Sequence, residues 1–385
     1  MSSLKLQGDT SGEITVTVPN VAGTHTLTLP KATGNIATDA TVGLGMKNLI
    51  INGDMRIAQR GTSFASPSTG NYSLDRWTYQ YDVTHGVTIT QDTDVPTGQG
   101  FDKSLKIAVT TTGTPTGTQS SVLRQKIEGN NLVQLKKGTS SAESVTVSFW
   151  VKSNLTGTFI VEVHDTDNSR SISKSYTISS ADTWEKKTIT YAGDTSGALT
   201  YDNSEAIRLS FPISAGPDLQ SGTLQTSWGT LVDANRFVGQ TNVLSSTSNY
   251  INITGVQLEV GENATPFERR MYGTELALCQ RYYLEYSTTS IGAYGGIGMA
   301  SAAGSTSFRI RGISFNNIMR TTPTLVVSGS PRVECGAAYT FTLVNNKCTI
   351  HSFGMDGTAS SAMNQGDSYS VDLGADGKLT FSAEL

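Results

Sequence analysis

Charge, cysteine, histidine and long apolar runs are all scarce in this sequence, and each scarcity removes a class of function. Of 385 residues only 16 % are Asp, Glu, Lys or Arg, against about 25 % in an average domain. The net charge is −4, and the basic residues do not cluster. Nucleic-acid binding concentrates Lys and Arg against phosphate, so no nucleic-acid partner is expected. The three cysteines, Cys279, Cys335 and Cys348, are odd in number, far apart and without a CxxC. They signal neither a disulfide framework nor a zinc site. Cys335 and Cys348 can pair only if the fold brings them together; free buried thiols are the expectation for a protein assembled in a cytosol. With no run of about 18 apolar residues, no membrane insertion is expected. Met1 to Gly12 is polar, without the apolar stretch of a secretory signal.

Catalytic signatures are missing too. The four histidines, His25, His85, His164 and His351, are scattered. There is no G-x-S-x-G elbow, HExxH helix or phosphate loop. The glycines at 292, 295, 296 and 298 do not fit G-x-G-x-x-G. Paired carboxylates for glycoside cleavage stay open, because such pairs meet in space and not in sequence. The expectation is a protein that is not an enzyme.

What is abundant is Thr, Ser and Gly: 53, 44 and 39 residues. Thr and Val favour strands, while Gly, Ser and Asn favour turns. The fold expected is mainly β, with a polar, weakly charged surface suited to hydroxyl-rich partners such as glycans.

The chain divides into four parts. Residues 1–45 alternate at Ile14, Val16 and Val18 and again at Leu27 and Leu29, the period of strands with one buried face. So short and polar a segment cannot build a core alone and must lean on the rest of the chain or on copies of itself. Residues 46–270 carry many short strands, at 145–151, 159–163, 186–191, 207–211 and 250–260, with a turn at 164–168. Short strands without long helical patterns between them predict a jelly-roll β-sandwich. Residues 271–286 predict one connecting helix, with Thr274 as its cap. Its two apolar stripes, Tyr272, Leu276, Cys279, Tyr283 and Tyr286 on one side and Met271, Leu278 and Tyr282 on the other, exceed the single stripe of a surface helix. Residues 287–385 predict a small C-terminal β domain.

Several segments carry a resemblance. Residues 13–38 resemble a segment found near the start of phage tail fibres. The run 48–61, NLIINGDMRIAQRG, followed by Asp75, Arg76 and Trp77, resembles the opening of a phage virion module. ITGVQLEVG at 253–261, TPFER at 265–269 and ELALCQRYY at 275–283 resemble its closing signature. MRTTPT at 319–324 resembles part of the small β domain that often follows. The resemblance implies a tail-fibre or appendage protein, usually a homotrimer, located in the virion and bound to other virion proteins through residues 1–45. It implies a subunit contacting host surface polysaccharide. A head fibre or capsid decoration protein, a capsule-degrading tailspike enzyme and a cellular lectin-like module are the alternatives; a tailspike usually carries a long repeating β-helix, and no such repeat is present. The middle part is also similar to the carbohydrate-binding jelly rolls of glycan-degrading enzymes, which open on Asn-Leu-x-x-Asn-Gly and close on a strand beside it. Those modules often hold a structural calcium ion. Here Thr254 and Gly255 stand where acidic residues are usual, and Asp54 and Glu259 are the nearest carboxylates.

Three residues are candidate glycan contacts. Tyr79 and Tyr81 share one face of a strand, as a sugar platform or as a half-buried sheet face. Trp228 sits in a loop context. Trp77, Trp150 and Trp184 read as packing between sheets. Tyr272, Leu276, Cys279, Tyr283 and Arg281 are candidates for an oligomer interface, with arginine–glutamate pairs around a threefold axis.

Overall fold

Alternating apolar and polar residues with abundant turn formers give, among the described residues, regular structure that is mainly antiparallel strand. The computed structural model describes residues 3–7, 13–17, 46–291, 295–335 and 337–385. They fall into two units, Met1–Gly43 and Leu44–Leu385. In the first, β1 (Ser3–Gln7) pairs antiparallel with β2 (Glu13–Thr17), Leu6 opposite Ile14. The expected strand at Leu27 and Leu29 lies outside the described residues.

The second unit opens with a jelly-roll sandwich. Its strands are β3 (Ser63–Ala65), β4 (Thr78–Tyr81), β5 (Gly86–Asp92), β6 (Ser104–Thr111), β7 (Ser120–Glu128), β8 (Val145–Ser153), β9 (Gly157–Asp165), β10 (Arg170–Ile178), β11 (Glu185–Tyr191), β12 (Glu205–Ala215), β13 (Gly229–Thr230) and β14 (Tyr250–Val260). One sheet runs β13-β10-β9-β12-β7-β4, the other β11-β8-β14-β6-β5-β3. Inward residues of both, among them Trp77, Phe149, Phe159, Leu209, Phe211 and Ile253, form one core. The turn at 164–168 joins β9 to β10, with Asp165 opposite Arg170.

The opening run lies along the closing strand. Leu49 N–H donates to Leu258 O at 2.8 Å, and Val256 N–H to Gly53 O at 2.9 Å. Asn48 Oδ1 accepts from Ile50 and Leu258 N–H. A Cβ at Gly53 would stand 2.1 Å from Val256 O, which explains a glycine there.

The connecting helix is shorter than expected. α1 spans Tyr272–Gln280, its N-cap is Met271, and no side chain caps it. Tyr283–Ser287 is not helical but is β15, pairing antiparallel with β23 (Lys378–Ser382). Long-range pairing overrides the helical pattern there, because an aromatic-rich segment also suits a strand. A short α2 (Thr288–Ile291) follows. β16 (Gly296–Ala302), β17 (Ser307–Ser314), β19 (Arg332–Cys335), β20 (Ala337–Asn346), β21 (Ser352–Ala359) and β22 (Ser368–Asp372) close into a barrel, while β18 (Thr324–Ser328) joins β23 and β15 in a three-stranded sheet. Phe308, Phe341, Phe353, Phe381 and Val371 fill this second core.

The residues of the phage-module resemblance hold these two bodies together. Arg76 is 1 % exposed; it pairs with Glu384 and donates to Lys126 O. Arg60 reaches Glu384 at 2.8 Å. Arg281 makes a two-pronged contact to Glu128 at 2.9 and 2.8 Å, and Tyr282 donates to the same carboxylate. Bidentate, charge-assisted contacts of this kind are the strong ones.

Candidate functional site

Most residues proposed for an oligomer interface are spent inside one chain. Cys279 is fully buried among Ile51, Ile57 and Tyr282, and burial pushes its thiol well up. Arg281 belongs to Glu128. Tyr283 lies 7 % exposed, its ring 3.6 Å from the Arg60 guanidinium. Leu276 is half-buried against the Cys279 cluster, and Tyr272 is exposed. Of the second apolar stripe, Tyr282 and Leu278 pack in the Cys279 cluster, while Met271 is exposed to solvent. Cys348 is a free thiol; the Cys335 side chain lies outside the described residues.

The tyrosine pair shares a face as expected, but that face looks inward. Tyr79 is buried in the sandwich core. Its hydroxyl is bonded to Ser121 Oγ and donates to His85 Nε2 at 2.7 Å, whose Nδ1–H is held by Val83 O. Tyr79 is therefore no sugar platform, and Tyr81 packs half-buried beside it. Trp228 leans on the core edge, donating to Ala192 O at 2.8 Å with Lys137 Nζ 5.1 Å from its ring. The space beside it is about 20 Å³, room for one water and not for a sugar.

The calcium candidates do not fit the ion. Glu259 already accepts from Thr265 N–H at 2.9 Å, Thr265 Oγ1 at 2.6 Å and Gln257 Nε2 at 2.7 Å. Asp54 has Glu275 and Arg56 as its charged neighbours, and burial followed by Glu275 pushes its carboxyl up to about 6. Calcium takes six to eight oxygens, carboxylates among them; among the described residues no group of three or more Asp, Glu, His or Cys converges.

A different surface has the makings of a site. On the outward face of β8, Trp150 stands between Thr254 of β14 and Lys186 of β11. The β8–β14 register slips between Thr254 and Gln257. Gly255, at φ 62°, takes the left-handed backbone that this bulge requires. A Cβ there would meet Phe101 Cζ at 2.6 Å, so the absent side chain is where the Phe101 ring rests. Phe267 meets Phe101 edge-on at 5.2 Å. The Arg269 guanidinium lies 4.7 Å from the Phe101 ring and donates at 2.6 Å to both Gln99 O and Gly100 O. This fixes the 99–101 loop against the sheet through cation–π and charge-assisted bonds.

The result is a groove of about 390 Å³. Trp150, Phe101 and Phe267 supply apolar walls, Gln99 and Ser148 hydrogen-bonding groups, and Lys186 and Arg269 positive charge. No carboxylate or imidazole is among its lining residues as described. Apolar ring faces with a few convergent polar groups match what a carbohydrate presents. The expectation that Trp150 packs between the sheets is not met: Phe149 points into the core, so its strand neighbour Trp150 lies on the opposite, outward face, only partly buried. Phe101 and Phe267 come from loops far apart in sequence; the one local signal was Gly255 inside a strand pattern, which marks a bulge or a close approach.

No family model matches this chain, and no curated protein does. Among solved structures it is similar to the enzymatically active domain of bacteriophage CBA120 tailspike protein 4, with a TM-score of 0.31 and 18 % identity over 56 % of this chain and 21 % of that one. It is also similar to the family 11 carbohydrate-binding module of Clostridium thermocellum in complex with a β-1,3-1,4-mixed-linked tetrasaccharide, with a TM-score of 0.29 and 10 % identity over 53 % and 99 %. A third is the N-terminal cellulose-binding domain of Cellulomonas fimi β-1,4-glucanase C, with a TM-score of 0.25 and 12 % identity over 49 % and 90 %. The chain spans about a fifth of the tailspike domain's length. At these identities and scores, what the site does rests on its own residues.

Proposed function

We propose that this protein is a non-enzymatic, glycan-contacting structural subunit of a phage particle, a tail fibre that touches host surface polysaccharide. The groove at Trp150 carries the binding half of that reading. Its aromatic walls suit the apolar faces of sugar rings, and its amide, hydroxyl and cationic groups suit hydroxyls and acidic substituents. A groove lined without a carboxylate lacks the acid and base that glycoside cleavage uses, which supports binding over catalysis. The virion half rests on the sequence resemblance, above all at 253–283, as do assembly into a homotrimer and attachment to other virion proteins through residues 1–45. Several weak groove sites in one trimer would gain avidity without new contacts.

The test is a glycan array probed with the full chain and with Trp150→Ala, alongside light scattering during size-exclusion chromatography. Array binding that disappears in the variant while its melting temperature holds supports the groove. Unchanged binding moves the site elsewhere, and a monomer mass removes the trimer.

A further inference from the structure

A second and larger concavity lies next to the groove. It is a cleft of about 800 Å³ between the sandwich, α1 and the three-stranded sheet, lined by Gln59, Gln91, Tyr272, Gln280, Ser290 and Lys378 among others. Clefts where two folded bodies meet are favoured ligand sites, and the volume is within the usual range. Tyr272 is 51 % exposed, with the Arg56 guanidinium 5.6 Å from its ring centre. An aromatic residue left this open on a short helix contributes nothing to either core. Gln280 accepts from Asn317 at 2.9 Å through Oε1, and among the described residues its Nε2 donors have no partner. Lys378 is taken by Glu285, so the lining is dominated by amides and hydroxyls rather than unpaired charge. That is a surface for a hydroxyl-rich ligand.

The two concavities are neighbours along the chain. Phe101 walls the groove, and the next residue, Asp102, holds Arg56 at 3.2 Å. Arg56 in turn lines the cleft beside Tyr272. From the other direction, Arg269 of the groove and Tyr272 of the cleft are three residues apart, at most about 10 Å of extended backbone. The Arg56–Asp102 bridge links the two linings, and its side chains are 39 % and 59 % exposed. An ion pair this open costs little to rearrange.

We infer that groove and cleft are two subsites of one track, which grips an internal run of a polysaccharide rather than a chain end. The inference rests on the glycan reading of the Trp150 groove and extends it to the length of ligand recognised. Trp150 anchors one part of the run, Tyr272 stacks on a sugar further along, and Arg56 and Asp102 bond the sugar between them.

The experiment is an array of matched tri- and hexasaccharides from β-glucan, galactan, xylan, mannan and chitin, probed with the full chain. The expected result is at least a tenfold preference for the hexasaccharide of whichever polymer binds. Tyr272→Ala, at an exposed position, should abolish that preference with the melting temperature unchanged. Trp150→Ala should weaken both lengths. Equal affinity for the two lengths in the parent protein, or a preference that survives Tyr272→Ala, overturns the track and leaves the groove standing. Binding that ignores Trp150→Ala, or no binding of any oligosaccharide, overturns the groove and the track together.

Discussion

The Arg76 guanidinium lies 3.4 Å from the centre of the Tyr282 ring, joining a sandwich residue to one that follows the connecting helix. Arg76 holds a left-handed backbone at φ 70°, which costs of order 1–3 kcal/mol for a residue other than glycine. Its contacts to Glu384, Tyr282 and Lys126 O offset that cost. Removing one member of a buried pair strands the other. Arg76→Ala is therefore expected to destabilise by about 3–5 kcal/mol, read by urea unfolding. The loss should also split the transition in two as sandwich and barrel uncouple. A single transition with a change below about 1 kcal/mol would show that the clamp is incidental.

Gly255 is expected to tolerate no side chain. Gly255→Ala forces a left-handed alanine and pushes on Phe101, for a cost of about 1–3 kcal/mol. Because the displaced ring is a groove wall, glycan affinity should fall as well. Stability loss with intact binding would mean that Phe101 is not a contact.

Tyr79 separates core from site. Tyr79→Ala should cost about 3–5 kcal/mol, with glycan affinity per folded molecule unchanged. A stable Tyr79→Ala protein with lost binding would return the platform reading to this strand.

Asp54 sets a pH dependence. Its carboxyl is pushed from an ordinary 3.8 up to about 6, by burial first and Glu275 second, with Arg56 opposing. Between those values the folded chain holds a proton that the unfolded chain has released, so stability falls as pH rises through this window. The penalty is fully present above pH 6 and amounts to roughly 3 kcal/mol. Asp54→Asn should stabilise the protein at pH 7 and flatten its stability profile between pH 4 and 6. Equal slopes for parent and variant in chemical denaturation across that range would refute the assignment.

Strand alternation was a good guide wherever one face is buried. The segment 250–260 was legible because Ile251, Ile253 and Val256 declare its core side, and it is β14 as read. Alternation gives the parity of a strand but not which side faces in; the Tyr79–Tyr81 pair has the right parity and the opposite side. The segment 281–286 misled because three aromatic residues within five positions satisfy helical and strand spacing alike. Only its pairing with Lys378–Ser382, about a hundred residues on, decides between them. The groove was hidden for a related reason. Phe101, Trp150 and Phe267 meet through a bulge and two loops, and no spacing along the chain brings them side by side.

The clamp has a mechanical meaning. Arg76 and Arg60 grip Glu384, one strand-end beyond β23, and Tyr72 and Lys126 hold the Leu385 carbonyl oxygen. Torque on the barrel is thus borne by short buried bonds rather than taken up in a slack tether. The second unit would turn as a single lever, so a pull on a ligand held at the cleft reaches the sandwich undamped.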